Sequence, residues 1–430
     1  MKVVYFNNQL GGGAARAAQR IFHSVRKQGV KADFVYAHGQ ASSNPHYVKW
    51  TYPRHTGLGK YTAKLKAKAY YRYINKYYAG RPNHLEHFSY AGYHENTPLP
   101  ELMADADIIH LHQIDNFLDY PSFFQSVPAK IPIIWSLHDM EPFTGGCHYS
   151  WTCEGYKSSC ISCPQLGDHD NRSLAAKNLK LKAEVLKDRN IHVVANCEWT
   201  WREAMNSSLF KLAKKIHKVH YGIELDQFTP LDKEACRKAL NIPDDMFCIS
   251  FGSADIANRR KGFVEMLSVL KVLAEERLNI MCLIFGHGGE LMEEIDIPCI
   301  QLGYIQSPEL QSLVYSASDL FVMPTLYDAL PQTVLESIAC GTPVIGFHTG
   351  GLPDMIIPGK SGYLIDGIHP DKMAAAIISC YHNPEIVHTM SEEARTFAEK
   401  SFSMEKCGRE YLGVYQEVLN KKTLSLSASL

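Results

Sequence analysis

Two acids and a run of cations are the residues whose types and spacing could do chemistry. In MPTLYDALPQTVLESIACGTPVIGFHTGGLPDMI, Met323 to Ile356, a strand-like run ends at Pro324 and a loop delivers Asp328. From about Gln332 the pattern turns helical, with Val334, Leu335 and Ile338 apolar, and Glu336 falls in the first turns. A carboxylate there can accept hydrogen bonds from two hydroxyls, as a ribose 2′,3′-diol offers. Backbone N–H groups around Ala329 and Leu330, near the helix N-terminus, favour the charge of a diphosphate. A second stretch, FGSADIANRRKGFVEML, sets Arg259, Arg260 and Lys261 ahead of Gly262 and a helix. Those cations oppose the helix dipole unless an anion is present, and they suit the charge that builds on a departing diphosphate. Either acid alone reads as a helix-start residue balancing the dipole; the whole constellation does not.

Glycines, histidines and cysteines mark further places. IFGHGGELMEEI carries Gly286, Gly288 and Gly289 after a strand, and QLGGGAARAAQRIF places Gly11, Gly12, Gly13 and Arg16 at a turn opening a helix. The latter is not a Walker loop, because no Gly-Lys-Ser/Thr follows; both also suit plain tight turns. His138 and Asp139 end the strand-like IIWSLHD, and His110 and His112 lie in IIHLHQIDNF. A histidine at a strand end is more often a structural hydrogen-bonder than a catalyst. EPFTGGCHYSWTCEGYKSSCISCPQL holds Cys147, Cys153, Cys160 and Cys163 with the spacing C-x5-C-x6-C-x2-C. Four thiolates in one loop suit a tetrahedral structural Zn²⁺. Four reduced structural thiols are the other reading, and both stay open.

The elements that must position these residues alternate. Strand-like runs at Lys2–Asn7, Asp33–His38, Asp107–His112, Ile131–His138 and Ile191–Asn196 are separated by helical stretches. The alternation repeats with Phe247–Ser253, Ile280–Gly286, Cys299–Gly303, Leu320–Pro324 and Pro343–Phe347. Between the sets lies KVHYGIELDQFTPLD, Lys218 to Asp232, a polar stretch ending in a Pro-containing turn. The fold class expected is α/β, with two doubly wound domains facing each other across a cleft. The first covers 1–220, with the cysteine island at 147–163; the second covers 221–405; a C-terminal helix and tail, 406–430, is expected to cross back to the first.

Composition narrows the class. A chain of 430 residues with 46% apolar and 21% charged residues can bury two cores. A net charge of −1 gives no global field toward nucleic acid. No run approaches eighteen apolar residues, and MKVVYFNNQLGGG reads as a first strand entering a loop, not a signal peptide. Twelve cysteines without a secretory signal argue for reduced thiols or metal ligands and a cytoplasmic setting. One segment stands apart: from Phe34 to Leu85 there is no acid, while Lys49, Arg54, Lys60, Lys64, Lys66, Lys68, Arg72, Lys76 and Arg81 are interleaved with tyrosines. Such a basic, tyrosine-rich, helical segment at 49–81 suits an anionic lipid surface or a lipid-pyrophosphate acceptor, on the inner face of the membrane; a solvated helical face with inward tyrosines is the alternative.

The stretch around Asp328 and Glu336 resembles the donor site of the family 4 retaining glycosyltransferases, marked by a Glu-x7-Glu pair and a G-x-P-V turn. Here the pair is Asp328 and Glu336, and the turn is Gly341, Thr342, Pro343 and Val344. The resemblance runs in motif order over nearly the whole chain and implies the GT-B fold of two Rossmann-like domains. It implies that Glu336 holds the nucleotide ribose and that Asp328, one methylene shorter than the family's acid, contacts a donor-sugar hydroxyl. It implies that Gly286 and Gly288 lie beside the base, flanked by Tyr304 and Ile305, and that Gly12 and Gly13 lie near the donor phosphates. By the same resemblance His138 points toward the donor sugar. Lys261 is carried over as a diphosphate cation. The Arg that commonly precedes that lysine is Ile256 here, so Arg260 is put forward in its place.

The expected function follows from these residues and that resemblance. It is transfer of a sugar from a nucleoside-diphosphate sugar to a hydroxyl of a glycan or lipid-linked saccharide, with retention and without a catalytic metal. Catalytic roles fall to His138, Lys261, Arg260 and Asp328; the donor is held by Gly12, Gly13, Gly286, Gly288, Tyr304, Ala329, Leu330 and Glu336. No cofactor is required for catalysis, and nucleic acid is not an expected partner. The run LHDMEPFTGGC resembles the branch of the family that serves bacterial surface-polysaccharide assembly. A nucleotide-sugar epimerase of the same fold and a non-catalytic sugar-nucleotide-binding partner are the competing readings.

Overall fold

Runs rich in Val, Ile and Phe that are apolar at nearly every position form strands buried on both faces, as a parallel sheet covered by helices requires. The computed structural model describes residues 1–52, 56–79, 81–82, 85–167, 173–288 and 296–419. The contacts divide the chain into two units: Met1–His220 together with the chain from Cys407 on, and Tyr221–Lys406.

The first unit runs β1 (Lys2–Gln9), α1 (Gly13–Lys27), β2 (Lys31–His38), β3 (Tyr47–Lys49), α2 (Leu58–Tyr78), β4 (Ile108–Leu111), α3 (Tyr120–Ser126), β5 (Ile133–Ser136), α4 (Leu174–Leu186), β6 (Ile191–Ala195), α5 (Glu198–Asn206) and β7 (Lys215–Lys218). Its seven strands are parallel in the order β3-β2-β1-β4-β5-β6-β7. In β1 every residue from Val3 to Asn8 is buried. It pairs with β2 on one side and β4 on the other (Val3 opposite Lys31's neighbour Ala32, and opposite Ile108). The strand order reverses between β1 and β4, which makes their carboxyl ends the switch point of this sheet. Phe6, Leu111, Phe117, Phe123 and Trp135 fill the core on one face.

The second unit runs α6 (Lys233–Ala239), β8 (Phe247–Asp255), α7 (Phe263–Glu275), β9 (Ile280–His287), β10 (Cys299–Gln301), α8 (Pro308–Ala317), β11 (Leu320–Met323), α9 (Gln332–Ala339), β12 (Val344–Phe347), α10 (Leu352–Met355), β13 (Gly362–Ile365), α11 (Pro370–His382) and α12 (Pro384–Phe402). Its six parallel strands are ordered β10-β9-β8-β11-β12-β13, with the reversal between β8 and β11. Arg395 on α12 donates to the carbonyls of Phe228 and Ala339, at 2.8 and 2.6 Å, and so ties the stretch before α6 to the end of α9. A last helix, α13 (Met404–Val418), carries Tyr411 and Tyr415 onto the first unit's sheet. There Tyr415 Oη meets the Tyr5 hydroxyl and His110 Nδ1, the latter at 2.8 Å, and Tyr411 Oη meets Ser136 Oγ at 2.9 Å.

Every strand read from the sequence is present. Three were not anticipated: β3, β7 and β13. All three are edge strands, and none carries the unbroken buried apolar run of the inner strands. Among the described residues no helix is long and apolar enough to cross a membrane.

Candidate functional site

The cation run in the second unit is split by its surroundings. Arg259 is committed to Glu265, with both guanidinium nitrogens at 2.7 Å from its carboxylate oxygens. Arg260 and Lys261 instead converge on Asp328: Lys261 Nζ lies 2.6 Å and Arg260 Nη1 3.0 Å from Asp328 Oδ2. Asp328 is 8% exposed, and burial alone would raise its carboxyl pKa; the Lys261 and Arg260 charges beside it outweigh that and hold it below the usual range. One buried carboxylate thus gathers two cations at the carboxyl ends of β8 and β11, the switch point of this sheet.

Three loops hold that pair. The turn Arg259–Lys261 is capped by Asn258, whose Oδ1 accepts from Arg260 N at 3.0 Å. Its Arg260 carbonyl accepts from Leu326 N and Thr325 Oγ1 of the loop after β11, at 2.8 and 2.9 Å. Gly262 then turns with φ +76°, where a Cβ would stand 1.8 Å from the Pro324 carbonyl oxygen, so only glycine lets the two loops touch. From the loop after β12, Thr349 Oγ1 donates to Thr325 O and Gly351 N to Asp328 O, both at 2.9 Å.

Ala329 and Leu330 are buried in the turn that enters α9. Glu336, on α9, has no solvent exposure, and Tyr315 Oη donates to its Oε2 at 3.4 Å. A ribose can reach that carboxylate only by displacing what covers it. Gly286 (φ +122°) and Gly288 (φ +90°) turn the chain at the end of β9; a Cβ on Gly286 would fall 2.0 Å from Ser253 O. Gly289 lies outside the described residues. Tyr304, 38% exposed, stacks on His287 with ring centroids 4.8 Å apart, and Ile305 beside it is buried. Ile256, standing where the resemblance places an arginine, is buried in the apolar core.

In the first unit, Gly12 caps α1 with φ +90°, and Gly13 opens the helix. His138 follows β5, and its Nε2 lies 2.9 Å from His112 Nδ1. Burial holds His138 down at about 4 and drives His112 well below the usual range, so both imidazoles are neutral at pH 7. His110 is spent on Tyr415 and Ser136.

Sequence reasoning missed a second cluster beside these histidines. His148 Nδ1 lies 2.7 Å from Asp139 Oδ2 and its Nε2 2.9 Å from Ser89 Oγ; Ser89 Oγ donates to Asp115 Oδ2 at 3.0 Å, and His87 Nε2 approaches the same oxygen at 3.2 Å. Burial disfavours charge on His148, but Asp139 and then Asp115 hold it up at about 9. Burial likewise opposes ionisation of Asp115, yet the hydrogen bond from His87 and the His148 charge bring it to about 2. Nothing in the local sequence marks this cluster, whose members come from four separate segments.

Cys147, Cys153, Cys160 and Cys163 all line one small cavity, and no disulfide joins any of the twelve cysteines. Among the described residues, no three of these sulfurs lie mutually within 4.8 Å, whereas zinc at Zn–S ≈ 2.3 Å requires closer approach. Burial pushes the Cys147 thiol up, and Cys160 up to about 12. On α2, Leu58, Tyr61 and Leu65 share one face and are 86%, 73% and 65% exposed among lysines. Arg54, in the same basic segment, lies outside the described residues.

Residues 232–397 match the family described as glycosyl transferases group 1. A D-inositol 3-phosphate glycosyltransferase of Paenarthrobacter aurescens is 29% identical over 46% of this chain and 51% of its own. The chain spans about half the length of the curated relatives it matches first. Two solved structures share the fold over 97% of this chain. They are a sucrose-phosphate synthase from Thermosynechococcus elongatus (TM-score 0.67, 16% identity, 99% of that chain) and Anabaena HepE in complex with UDP-glucose (TM-score 0.63, 14% identity, 100% of that chain). The architecture is therefore two Rossmann-like α/β domains of the GT-B kind.

Proposed function

We propose that this chain, whose second unit carries the match to glycosyl transferases group 1, moves a sugar from a nucleoside-diphosphate sugar to a hydroxyl of a glycan or lipid-linked saccharide, with retention of configuration. One observation carries the reading. Arg260 and Lys261 are drawn together on Asp328 at the switch point, where an arriving diphosphate finds two cations already positioned side by side. As the glycosidic bond to the diphosphate breaks, negative charge grows on the leaving oxygens, and these cations, with backbone N–H groups of the turn into α9, stabilise it. Asp328 holds the cations in place before the donor comes. Glu336 takes the ribose hydroxyls, and Tyr304 lies along the base. HepE, of the same fold, is described with UDP-glucose, which supports a nucleotide-sugar donor here.

In the first unit, neutral His138 suits a polar partner for the sugar without adding charge near the developing cationic carbon. One peripheral feature belongs to the same proposal: α2, with its apolar stripe among lysines, rests on an anionic membrane surface. The test is direct. The full chain is screened by thermal shift against UDP-, GDP- and ADP-sugars, and the stabilising donor is then incubated with saccharide acceptors while NMR follows the anomeric signal. Donor-dependent product of unchanged anomeric configuration is expected; conversion of the donor without any acceptor would sink transfer in favour of epimerisation.

A further inference from the structure

We propose that His87, Asp115 and His148 form a divalent-metal site at the carboxyl ends of β4 and β5. Among the described residues this is the one set of three or more His, Cys, Asp or Glu side chains whose ligand atoms all lie within 4.8 Å of one another. Ligand distances of about 2.0–2.2 Å to a tetrahedral ion put ligand atoms roughly 3.4 Å apart, so closing the set takes small side-chain rotations only.

Three observations point to a cation. Asp115 is 2% exposed, and its Oδ1 has no hydrogen-bond partner among the described residues. An orphaned oxygen on a buried carboxylate is costly, and a metal ion relieves it. His148 is held from behind: its Nδ1 sits 2.7 Å from Asp139 Oδ2, the carboxylate–histidine arrangement that fixes the tautomer and leaves Nε2 for a metal. A cation there takes the place of the proton Nε2 otherwise shares with Ser89. The third ligand, His87, has a side chain 56% exposed and gives the ion its route in.

The backbone around the site is fixed beforehand. Phe88 bridges to Cys147, and Ser89 N donates to Gly146 O at 2.8 Å. Asn178 Nδ2 donates to the carbonyls of Ser89 and Gly145, both at 2.9 Å. Gly146 (φ +125°) has no space for a side chain, since its Cβ would meet Ser89 O at 2.2 Å. Such prior fixing is what a metal site needs if binding is not to cost ordering of its ligands.

Ser89, His148 and Asp139 also show the spacing of a hydrolytic triad. That reading fails on access: Ser89 is 1% exposed and its hydroxyl is given to Asp115, so no acyl carbon can reach it. The ligand set is nitrogen and oxygen without sulfur, which favours Zn²⁺, Co²⁺, Ni²⁺ or Mn²⁺ over soft ions.

The inference does not depend on sugar transfer, and its test reads the metal alone. The full chain is stripped with chelator and titrated with Co²⁺, whose spectrum separates the two candidate sites: thiolate ligation gives near-ultraviolet charge transfer, and His/Asp ligation gives visible d–d bands only. One equivalent with d–d bands alone is expected, weakened at least about tenfold in His87→Ala and lost in Asp115→Asn, with far-UV circular dichroism unchanged. Asp139→Asn, which removes the positioning carboxylate, is expected to weaken binding by about 10–100-fold while keeping the band shape. Cobalt binding to wild type with thiolate charge transfer only, or equal affinity in wild type and the exposed-site variant His87→Ala, overturns the proposal.

Discussion

The two units use the same sheet device for different electrostatics. At the switch point of the second, a carboxylate gathers two cations. Around the switch point of the first, imidazoles His112 and His138 are kept neutral, and the carboxylates Asp115 and Asp139 stay ionised about a protonated His148. Position in the topology selects where a ligand can sit; the charges brought there select which ligand. Paired cations suit a diphosphate, and paired buried carboxylates suit hydroxyls or a metal ion.

The contrast can be broken most severely through burial. Lys182 in the first unit has no exposed side chain and pairs with Glu141 Oε1 at 2.6 Å. Lys182→Met leaves that carboxylate buried and unpaired, and should cost about 3–5 kcal/mol in a urea melt of the first unit. A stability unchanged within error would mean that Glu141 finds another partner. The next effect is chemical. Lys261→Ala should lower kcat/KM by about 10²–10³, with folding intact, because the cation acts on charge that grows in the transition state. Arg259→Ala, whose guanidinium is spent on Glu265, should leave turnover near wild type; equal losses in both would erase the distinction between the two cations.

Glu336→Gln should weaken donor binding by about 1–3 kcal/mol, seen as a lost thermal shift with the stabilising nucleotide sugar. Retained binding would remove the ribose from that buried carboxylate. The gentlest probe is pH, where the first unit carries two opposite dependences. His138, folded at about 4 against an ordinary value near 6.5, contributes stability that is present above 6.5 and lost as pH falls toward 4. His148, folded at about 9, contributes stability that is full below 6.5 and lost as pH rises toward 9. Histidine NMR titrations should show both, and His148→Gln should remove only the alkaline loss. Identical titration of the two residues near 6.5 would contradict the burial and the Asp139 contact.

The cysteine spacing and the run of Arg259, Arg260 and Lys261 illustrate how far reading the sequence carried. Both were visible as clusters, since their members are neighbours in the chain. Which of the three cations faces Asp328 was not visible, because Arg259 is diverted by Glu265 one helical turn on. The cluster of His87, Ser89, Asp115, Asp139 and His148 was invisible as a unit, although Asp139 stood beside a histidine already singled out. The edge strands β3, β7 and β13 also escaped, since none carries the unbroken buried apolar run of the inner strands.

What the sequence determined by itself was the α/β alternation, the glycines at turns with positive φ, and the acids and cations of the second unit's loops. Those features are local: a strand's composition or a turn's φ is set by residues within a few positions. What only the tertiary structure decided was which charges meet. Asp115 and His148 become neighbours because Gly146 admits the Ser89 backbone at a distance no side chain allows, and Glu336 is fully buried with Tyr315 Oη donating to it. Burial and ion pairing then set each group's charge, and both depend on contacts between residues far apart in the chain.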